Sequence, residues 1–257
     1  MSAGGQLLLV WLLAALAQTA AWLHQRRTRN AGIVDVIWAG GVGAAAMLLG
    51  ALGRGAPLSR LLLALFGGLW GLRLALHLWR RVSRETEDGR YASLRALWGE
   101  DQRRWFAFFQ FQALLIALFT VPFLPAANAV REPSTPWLAA AAAVWLLGVV
   151  GETVADRQLA RFRSDPGNKG RVCQIGLWRY SRHPNYFFEW LHWFTYVALA
   201  CGAALSWFGP VVMYVFLRWL SGIPFTEAQA LRTRGEAYRA YQRTTPILIP
   251  WFPRSRR

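Results

Sequence analysis

The chain has 257 residues, of which 55% are hydrophobic, and it carries a formal net charge of +16 at pH 7. This length allows one large soluble domain or one bundle of membrane helices, and the clustering of the apolar residues excludes the soluble domain. The two cysteines form no CxxC pattern, so we expect free thiols, no disulfide and no metal site.

Seven near-continuous apolar runs follow one another along the chain. Most of them reach the roughly 20 residues that a helix needs to cross about 30 Å of hydrocarbon. We therefore predict an all-α integral membrane protein with seven transmembrane helices in a single domain, 1–257. The predicted spans are about 5–23, 32–52, 58–79, 105–124, 136–155, 186–206 and 208–224.

The basic residues are distributed unevenly between the predicted loops. Four alternate segments hold 24 of the 29 Lys and Arg residues, with three in 24–31 and seven each in 80–104, 156–183 and 225–257. The positive-inside rule places these segments in the cytoplasm, with the N-terminus outside and the C-terminus cytoplasmic. Orientation thus explains most of the charge, and no nucleic acid partner is needed. Basic residues follow the first run rather than precede it, which favours a retained anchor over a cleaved signal peptide.

Asp35 lies about one turn inside the second predicted span, where an ionised side chain costs roughly 2.5 to 3.5 kcal/mol. Two interpretations are open. The carboxyl group forms a structural ion pair with an arginine, or it is a buried neutral acid that donates a hydrogen bond. The Gly and Ala residues that follow it predict the close approach of a neighbouring helix.

The third predicted span carries polar residues on one helical face. Trp70, Arg73 and His77 follow one another at spacings of three and four residues, which places them on the same side of a helix. A buried face with Arg and His suits a ligand pocket. The alternative is that Arg73 snorkels to the interface or pairs with Asp35.

The fifth predicted span ends in a charged stripe. Glu152, Asp156 and Arg163 are spaced four and seven residues apart and lead into the turn-rich loop SDPGNKGR, with Arg171 at its far end. The stripe and loop are candidates for an anion site. A solvated helix end followed by an ordinary loop is the alternative.

The stretch GLWRYSRHPNYFFEW concentrates polar residues at the start of an apolar run. Its proline is expected in the first turn of a helix, whose free backbone N–H groups bind anions. Asn185, Glu189, His192 and Tyr196 then recur on one face that enters the membrane. A helix cap followed by an aromatic belt is the alternative, but it gives Glu189 and His192 no role.

This stretch, with DRQLARFR before it and EAYRAYQRTTPILIPW after it, resembles the steroid 5-alpha-reductase family and its bacterial relatives. VDVIW, WGLRLALHL and EDGRY extend the resemblance to the N-terminal half. RHPNY segments also occur, more loosely, in isoprenylcysteine carboxyl methyltransferases and phospholipid methyltransferases, which share the fold.

The resemblance implies an oxidoreductase of the bacterial inner membrane that binds NADPH on the cytoplasmic side. Such an enzyme reduces a carbon–carbon double bond conjugated to a ketone in a lipophilic substrate from the bilayer, such as a 3-oxo-4-ene steroid. Residues of about 1–125 would form the substrate side, and residues of about 136–257 the cofactor-binding part.

The resemblance also implies site residues. Asp35 matches a carbonyl-contacting glutamate of the family, Trp70 stands where the family has a tyrosine, and His77 completes the predicted catalytic set. The matching cofactor-binding positions are Asp156, Arg163, Arg171, Tyr180, His183, Asn185, Glu189, Glu227 and Arg232. Arginine forks suit the phosphate oxygens of NADPH, and Arg179 and Arg182 add to this charge.

Two other functions are consistent with parts of the sequence. One is an S-adenosylmethionine-dependent membrane methyltransferase, although its sulfonium cofactor has no phosphate and matches an arginine-lined loop poorly. The other is a non-enzymatic membrane scaffold, in which Asp35 and Glu189 would be buried without a function. The natural substrate and the oligomeric state are left open by the sequence.

Overall fold

The computed structural model describes residues 1–253, and this part of the chain contains helices and turns but no β-strand. The all-α prediction is thereby confirmed. The α-helices of the described residues are α1 (Ala3–Thr28), α2 (Ile33–Leu52), α3 (Pro57–Arg84), α4 (Gly89–Trp98), α5 (Gln102–Thr120), α6 (Leu124–Asn128), α7 (Thr135–Ser164), α8 (Pro184–His192), α9 (Phe194–Leu199), α10 (Phe208–Val215) and α11 (Ile223–Thr244). Short 3₁₀ turns connect several of them, and a π-helical turn, Phe216–Leu220, follows α10.

Six helical segments within residues 1–253 have the length and apolar character needed to cross a membrane, so the prediction of a membrane protein is confirmed. These segments are Ala3–Thr28, Ile33–Leu52, Pro57–Arg84, Gln102–Asn128, Thr135–Ser164 and Ala204–Thr244. The remaining predicted span, 186–206, is divided between α8 and α9 and ends in a turn where Cys201 and Gly202 have φ angles of 50° and 77°. Neither short helix reaches the roughly 20 residues of a full span. Seven spans and their orientation therefore stay predictions.

The chain divides into two compact units. The first consists of Met1–Leu138 and Tyr196–Gly209, and the second of Ala139–Thr195 and the residues from Pro210 onward. The predicted substrate side falls in the first unit. The predicted cofactor-binding part falls in the second unit, apart from residues 136–138 and the segment Tyr196–Gly209.

Glycines allow α2 and α3 to pack closely in the first unit. A Cβ atom on Gly71 would lie 2.6 Å from the Cα atom of Gly43, and one on Gly67 would lie 2.3 Å from the Cβ atom of Ala46. Because Cβ atoms do not approach other carbon atoms this closely, larger residues would separate the two helices. The close approach predicted from the small residues after Asp35 is confirmed.

We expect Gly71→Ala to lower the unfolding temperature of the protein, because the added methyl group meets the backbone of α2 and overpacking of this kind costs about 1–3 kcal/mol. Thermal unfolding followed by tryptophan fluorescence measures the effect. Gly4→Ala is the matched control, since nothing outside the neighbouring backbone of its own helix lies within 4 Å of the added Cβ. Equal unfolding temperatures for Gly71→Ala and wild type would contradict the packing described here.

In the second unit, α8 lies against α7. A Cβ atom on Gly151 would be 2.3 Å from the ring of Phe188, and one on Gly148 would be 2.9 Å from the Cβ atom of His192. The segment before α8 is tied to α7 by the indole of Trp178, whose Nε1 donates to the carbonyl of Ala155 over 2.9 Å. These contacts hold the GLWRYSRHPN stretch beside the charged end of α7.

Candidate functional site

The second unit contains a cavity of about 270 Å³ that we call the basic cavity. Five cationic side chains line it, from the end of α7, the loop that follows it and α11: Arg163, Lys169, Arg171, Arg182 and Arg234. The lining residues within the described part of the chain include no Asp or Glu. The cavity therefore combines a high density of positive charge with the aromatic walls of Trp178, Tyr238 and Tyr241.

Local hydrogen bonds shape the loop on one side of the basic cavity. Asp165 accepts from the backbone N–H of Gly167 over 2.8 Å, and Asn168 donates its side-chain amide to the carbonyl of Phe162 over 3.1 Å. On the far side of the loop, Arg234 donates through Nε to the carbonyl of Arg171 over 3.0 Å. The loop is thus fixed to both α7 and α11. These bonds keep its cationic side chains at the wall of the basic cavity.

Arg182 is held rigidly at the wall of the basic cavity. Its Nε donates to Glu227 Oε1 over 2.6 Å, and its Nη1 donates to the carbonyls of Gln242 and Thr245 over 3.2 and 2.7 Å. The guanidinium is largely enclosed, with 10% of the side chain exposed. Three fixed acceptors define its direction, so little conformational entropy would be lost if it bound an anion.

Glu227 organises the residues around Arg182. Its carboxylate accepts from Gln242 over 3.0 Å and from the hydroxyl group of Tyr238 over 3.3 Å. It also accepts from His183 Nε2 over 3.3 Å, and the histidine must donate because a carboxylate can only accept. Burial lowers the pKa of His183, although the bond to Glu227 acts in the opposite direction. The imidazole of His183 is therefore neutral at pH 7. Glu227 does not line the basic cavity itself, but it positions residues that do.

The structure divides the predicted cofactor-binding residues into groups. Arg163, Arg171 and His183 line the basic cavity. Asp156 and Asn185 form a second group, in which the Asn185 amide donates to Asp156 Oδ1 over 3.2 Å. Glu189 is buried and accepts from the indole of Trp193 over 3.3 Å.

The predicted polar face that begins at Asn185 does not continue as one helix. α8 ends at His192, and Tyr196 lies in the separate helix α9, within the first unit. Tyr196 is fully buried there, and its ring lies 4.4 Å from that of Phe123. The predicted face of four residues is therefore reduced to three, Asn185, Glu189 and His192.

Two other predicted residues lie outside the lining of the basic cavity. The ring of Tyr180 packs edge-on to Phe252 at 6.0 Å, and its carbonyl accepts from the backbone N–H of Trp251. Arg232 is exposed, whereas Arg234 lines the cavity. Residues two positions apart point to different sides of a helix, so of these two arginines Arg234 faces the basic cavity and Arg232 does not.

In the first unit, Asp35 forms an ion pair with α4. Arg90 Nη2 donates to Asp35 Oδ2 over 2.8 Å, and the Tyr91 hydroxyl group donates to Oδ1 over 2.7 Å. Arg81 Nη2 lies 3.9 Å from Oδ2. Of the two interpretations that the sequence leaves open, the structure supports the ion pair between Asp35 and an arginine. Asp35 accepts from both neighbours here, so the idea of a neutral acid that donates from this position has to be corrected.

Tyr91 is the donor next to Asp35 that the sequence prediction missed. Burial raises the pKa of its phenol, and the negative charge of Asp35 acts in the same direction against the opposing charge of Arg90. The hydroxyl group therefore stays protonated well beyond neutral pH. Tyr91 belongs to the EDGRY segment, but it lies 56 positions from Asp35, and a single sequence does not reveal a contact over that separation.

Trp70 and His77 have different surroundings on α3. Trp70 is fully buried and packs edge-to-face against Trp38 at 6.5 Å, and Trp38 packs in turn against Phe119 at 5.2 Å. His77 is exposed. The predicted buried face is thus correct for Trp70 but not for His77.

Within the described residues, no group of three or more His, Cys, Asp or Glu side chains is arranged to hold a metal ion. No curated protein and no solved structure shows significant similarity to the chain. A family model described as "Protein of unknown function (DUF1295)" matches residues 21–245, which is most of the chain. The chain therefore belongs to the DUF1295 family.

Proposed function

We propose that the protein is an NADPH-dependent membrane oxidoreductase that reduces a carbon–carbon double bond conjugated to a ketone in a lipophilic substrate. The observation that carries the proposal is the basic cavity, with five cations and no carboxylate in its lining. A pyrophosphate and a 2′-phosphate need this kind of environment, because guanidinium groups bind phosphate oxygens through paired, charge-assisted hydrogen bonds. The resemblance to the steroid 5-alpha-reductases points to the same cofactor.

The size of the basic cavity indicates which part of NADPH it would hold. Its volume of about 270 Å³ lies below the roughly 300–1,000 Å³ of pockets that bury a drug-sized ligand. It therefore suits a phosphorylated end of the dinucleotide rather than the whole molecule. Trp178, Tyr238 and Tyr241 offer flat surfaces for an adenine ring. Asn185 and Glu189 are our candidates for the carboxamide end.

Bound NADPH would supply a hydride to the β-carbon of the enone, and negative charge would then develop on the ketone oxygen. A protonated hydroxyl group that donates to this oxygen stabilises the enolate, an effect typically worth about 2.7 to 4 kcal/mol. Tyr91 is the candidate donor in the first unit. Tyr91 would then donate to the ketone instead of to Asp35. The ion pair with Arg90 would continue to balance the negative charge of the Asp35 carboxylate. A proton supplied by water then adds to the α-carbon, so that one hydride and one proton complete the reduction.

The alternatives fit the same residues less well. S-adenosylmethionine has no phosphate and carries a positive sulfonium group, which the five cations of the basic cavity would repel. A scaffold would not need five cationic side chains around one cavity whose lining has no carboxylate. The charge distribution between the predicted loops supports a cytoplasmic position for the cofactor in a bacterial inner membrane.

Thermal unfolding of the purified full-length protein tests the cofactor assignment. We expect NADPH to raise the unfolding temperature and S-adenosylmethionine to leave it unchanged, because a ligand stabilises only the state that binds it. The reverse result would favour the methyltransferase and end the reductase proposal. Once NADPH binding is seen, its oxidation in the presence of a panel of enone lipids identifies the substrate class.

A further inference from the structure

A second cavity lies in the same unit, beyond the C-terminal end of α11, and we call it the terminal cavity. Its volume is about 340 Å³, and its lining includes Arg182, Arg218 and Arg243 together with the apolar side chains of Ile247 and Phe252. The lining residues within 1–253 include no carboxylate. The terminal cavity thus presents positive charge beside an apolar wall.

The three arginines of the terminal cavity are not equally committed to protein partners. Arg182 is fixed by Glu227 and two carbonyl groups. Arg243 pairs with Glu236 over 2.9 Å, but both side chains are about two-thirds exposed, at 64% and 66%, and such surface pairs contribute little to stability. Arg218 lies in the π-helical turn, with its guanidinium 5.7 Å from the ring centroid of Trp219. Arg218 and Arg243 are therefore the cations that an anion in the terminal cavity would engage.

The segments that carry these residues also expose large apolar side chains. Trp219 and Leu220, which follow Arg218, are 56% and 55% exposed. Trp251 and Phe252, which follow Ile247 closely in sequence, are 70% and 73% exposed. Arginine beside exposed tryptophan is typical of the boundary between the lipid tails and the headgroups. The segment Ala204–Thr244 is long and apolar enough to span a membrane, and its apolar first part ends at Arg218, which fits this position.

We propose that the terminal cavity binds the phosphate of an anionic phospholipid headgroup. The charge of Arg218 and Arg243 matches the phosphate, and the apolar wall formed by Ile247 and Phe252 suits the start of an acyl chain. A free phosphate ion would use the arginines but not this wall, which is why the lipid is the better occupant. The proposal does not depend on the reaction catalysed and goes beyond the proposed function.

Titration of the detergent-solubilised full-length chain with short-chain phosphatidylglycerol tests the proposal, with tryptophan fluorescence as the measure of thermal unfolding. Phosphatidylglycerol should raise the unfolding temperature of the wild type, and phosphatidylcholine at equal concentration should raise it less. Loss of one interfacial arginine is expected to weaken the apparent affinity for phosphatidylglycerol about fivefold, and Arg218→Gln/Arg243→Gln about 25-fold. Each single variant provides the measurement if the double variant does not fold.

Arg239→Gln is the matched control for Arg243→Gln. Arg239 lies one turn earlier on α11, pairs with the same Glu236 at 3.4 Å and is absent from the lining of both cavities. Wild-type lipid affinity in Arg239→Gln, together with weakened affinity in the cavity variants, supports the proposal. Equal losses in Arg239→Gln would indicate an unspecific effect of net charge and overturn it. Glycerol phosphate that stabilises the wild type as strongly as the lipid would identify a free-phosphate site instead and also overturn it.

Discussion

In an enone-reduction assay we expect the Tyr91→Phe variant to turn over about 10²- to 10³-fold more slowly than the wild type, with its affinity for NADPH unchanged. The substitution removes only the hydroxyl group, which donates to Asp35 over 2.7 Å. If this group stabilises the enolate, its loss raises the barrier of the chemical step and leaves the basic cavity intact. Turnover at saturating NADPH and NADPH binding by thermal shift provide the two measurements.

A purely structural role of Tyr91 has to be distinguished from this chemical role. Arg95→Gln is a suitable control, because Arg95 lies on the same helix and anchors it by paired hydrogen bonds to Glu87, at 2.9 and 2.8 Å, and by contact with the ring of Trp105. Arg95→Gln loosens α4 without removing a donor to Asp35. A similar loss of turnover in both variants would indicate that Tyr91 only stabilises the fold. Normal turnover in Tyr91→Phe would remove Tyr91 from the proposed mechanism.

The apolar runs predicted most of the membrane-spanning helices because a long buried helix needs a long apolar sequence. The run 186–206 is the exception. It is long enough to span a membrane, yet the chain ends one helix at His192 and turns at Cys201 and Gly202. The hydropathy of a residue describes its transfer out of water and has the same value in a helix and in a buried turn. Composition alone therefore does not reveal where the helix breaks.

The candidate sites were predictable to the extent that their residues are close in sequence. Arg163 and Arg171 flank one loop, and the loop itself brings them to the basic cavity. The bond from Arg182 to Glu227 joins residues 45 positions apart, and a single sequence does not specify such a pairing. The roles of Glu227 as an organiser and of Arg234 as a lining residue were visible only once α11 was placed beside the loop.

The basic cavity gives the second prediction of large effect. We expect Arg163→Gln/Arg171→Gln to weaken NADPH binding about 100-fold, since each charged hydrogen bond contributes roughly 1.5 kcal/mol or more and 1.4 kcal/mol corresponds to tenfold. Both side chains are exposed, so water screens them and the lower end of this range applies. Titration of the purified variants by thermal shift or calorimetry measures the change.

The matched control for this double variant removes the same amount of charge from α7, at positions outside the cavity lining. Arg157 and Arg161 are exposed on α7 and are absent from the lining of the basic cavity, so Arg157→Gln/Arg161→Gln should bind NADPH nearly as the wild type does. Measuring the affinity for NADH as well shows which phosphate of the cofactor these arginines bind. If Arg163 and Arg171 bind the 2′-phosphate, which NADH lacks, their loss weakens NADPH far more than NADH. Equal weakening of both would place these arginines at the shared pyrophosphate, and unchanged affinity for both would show that the basic cavity is not the cofactor site.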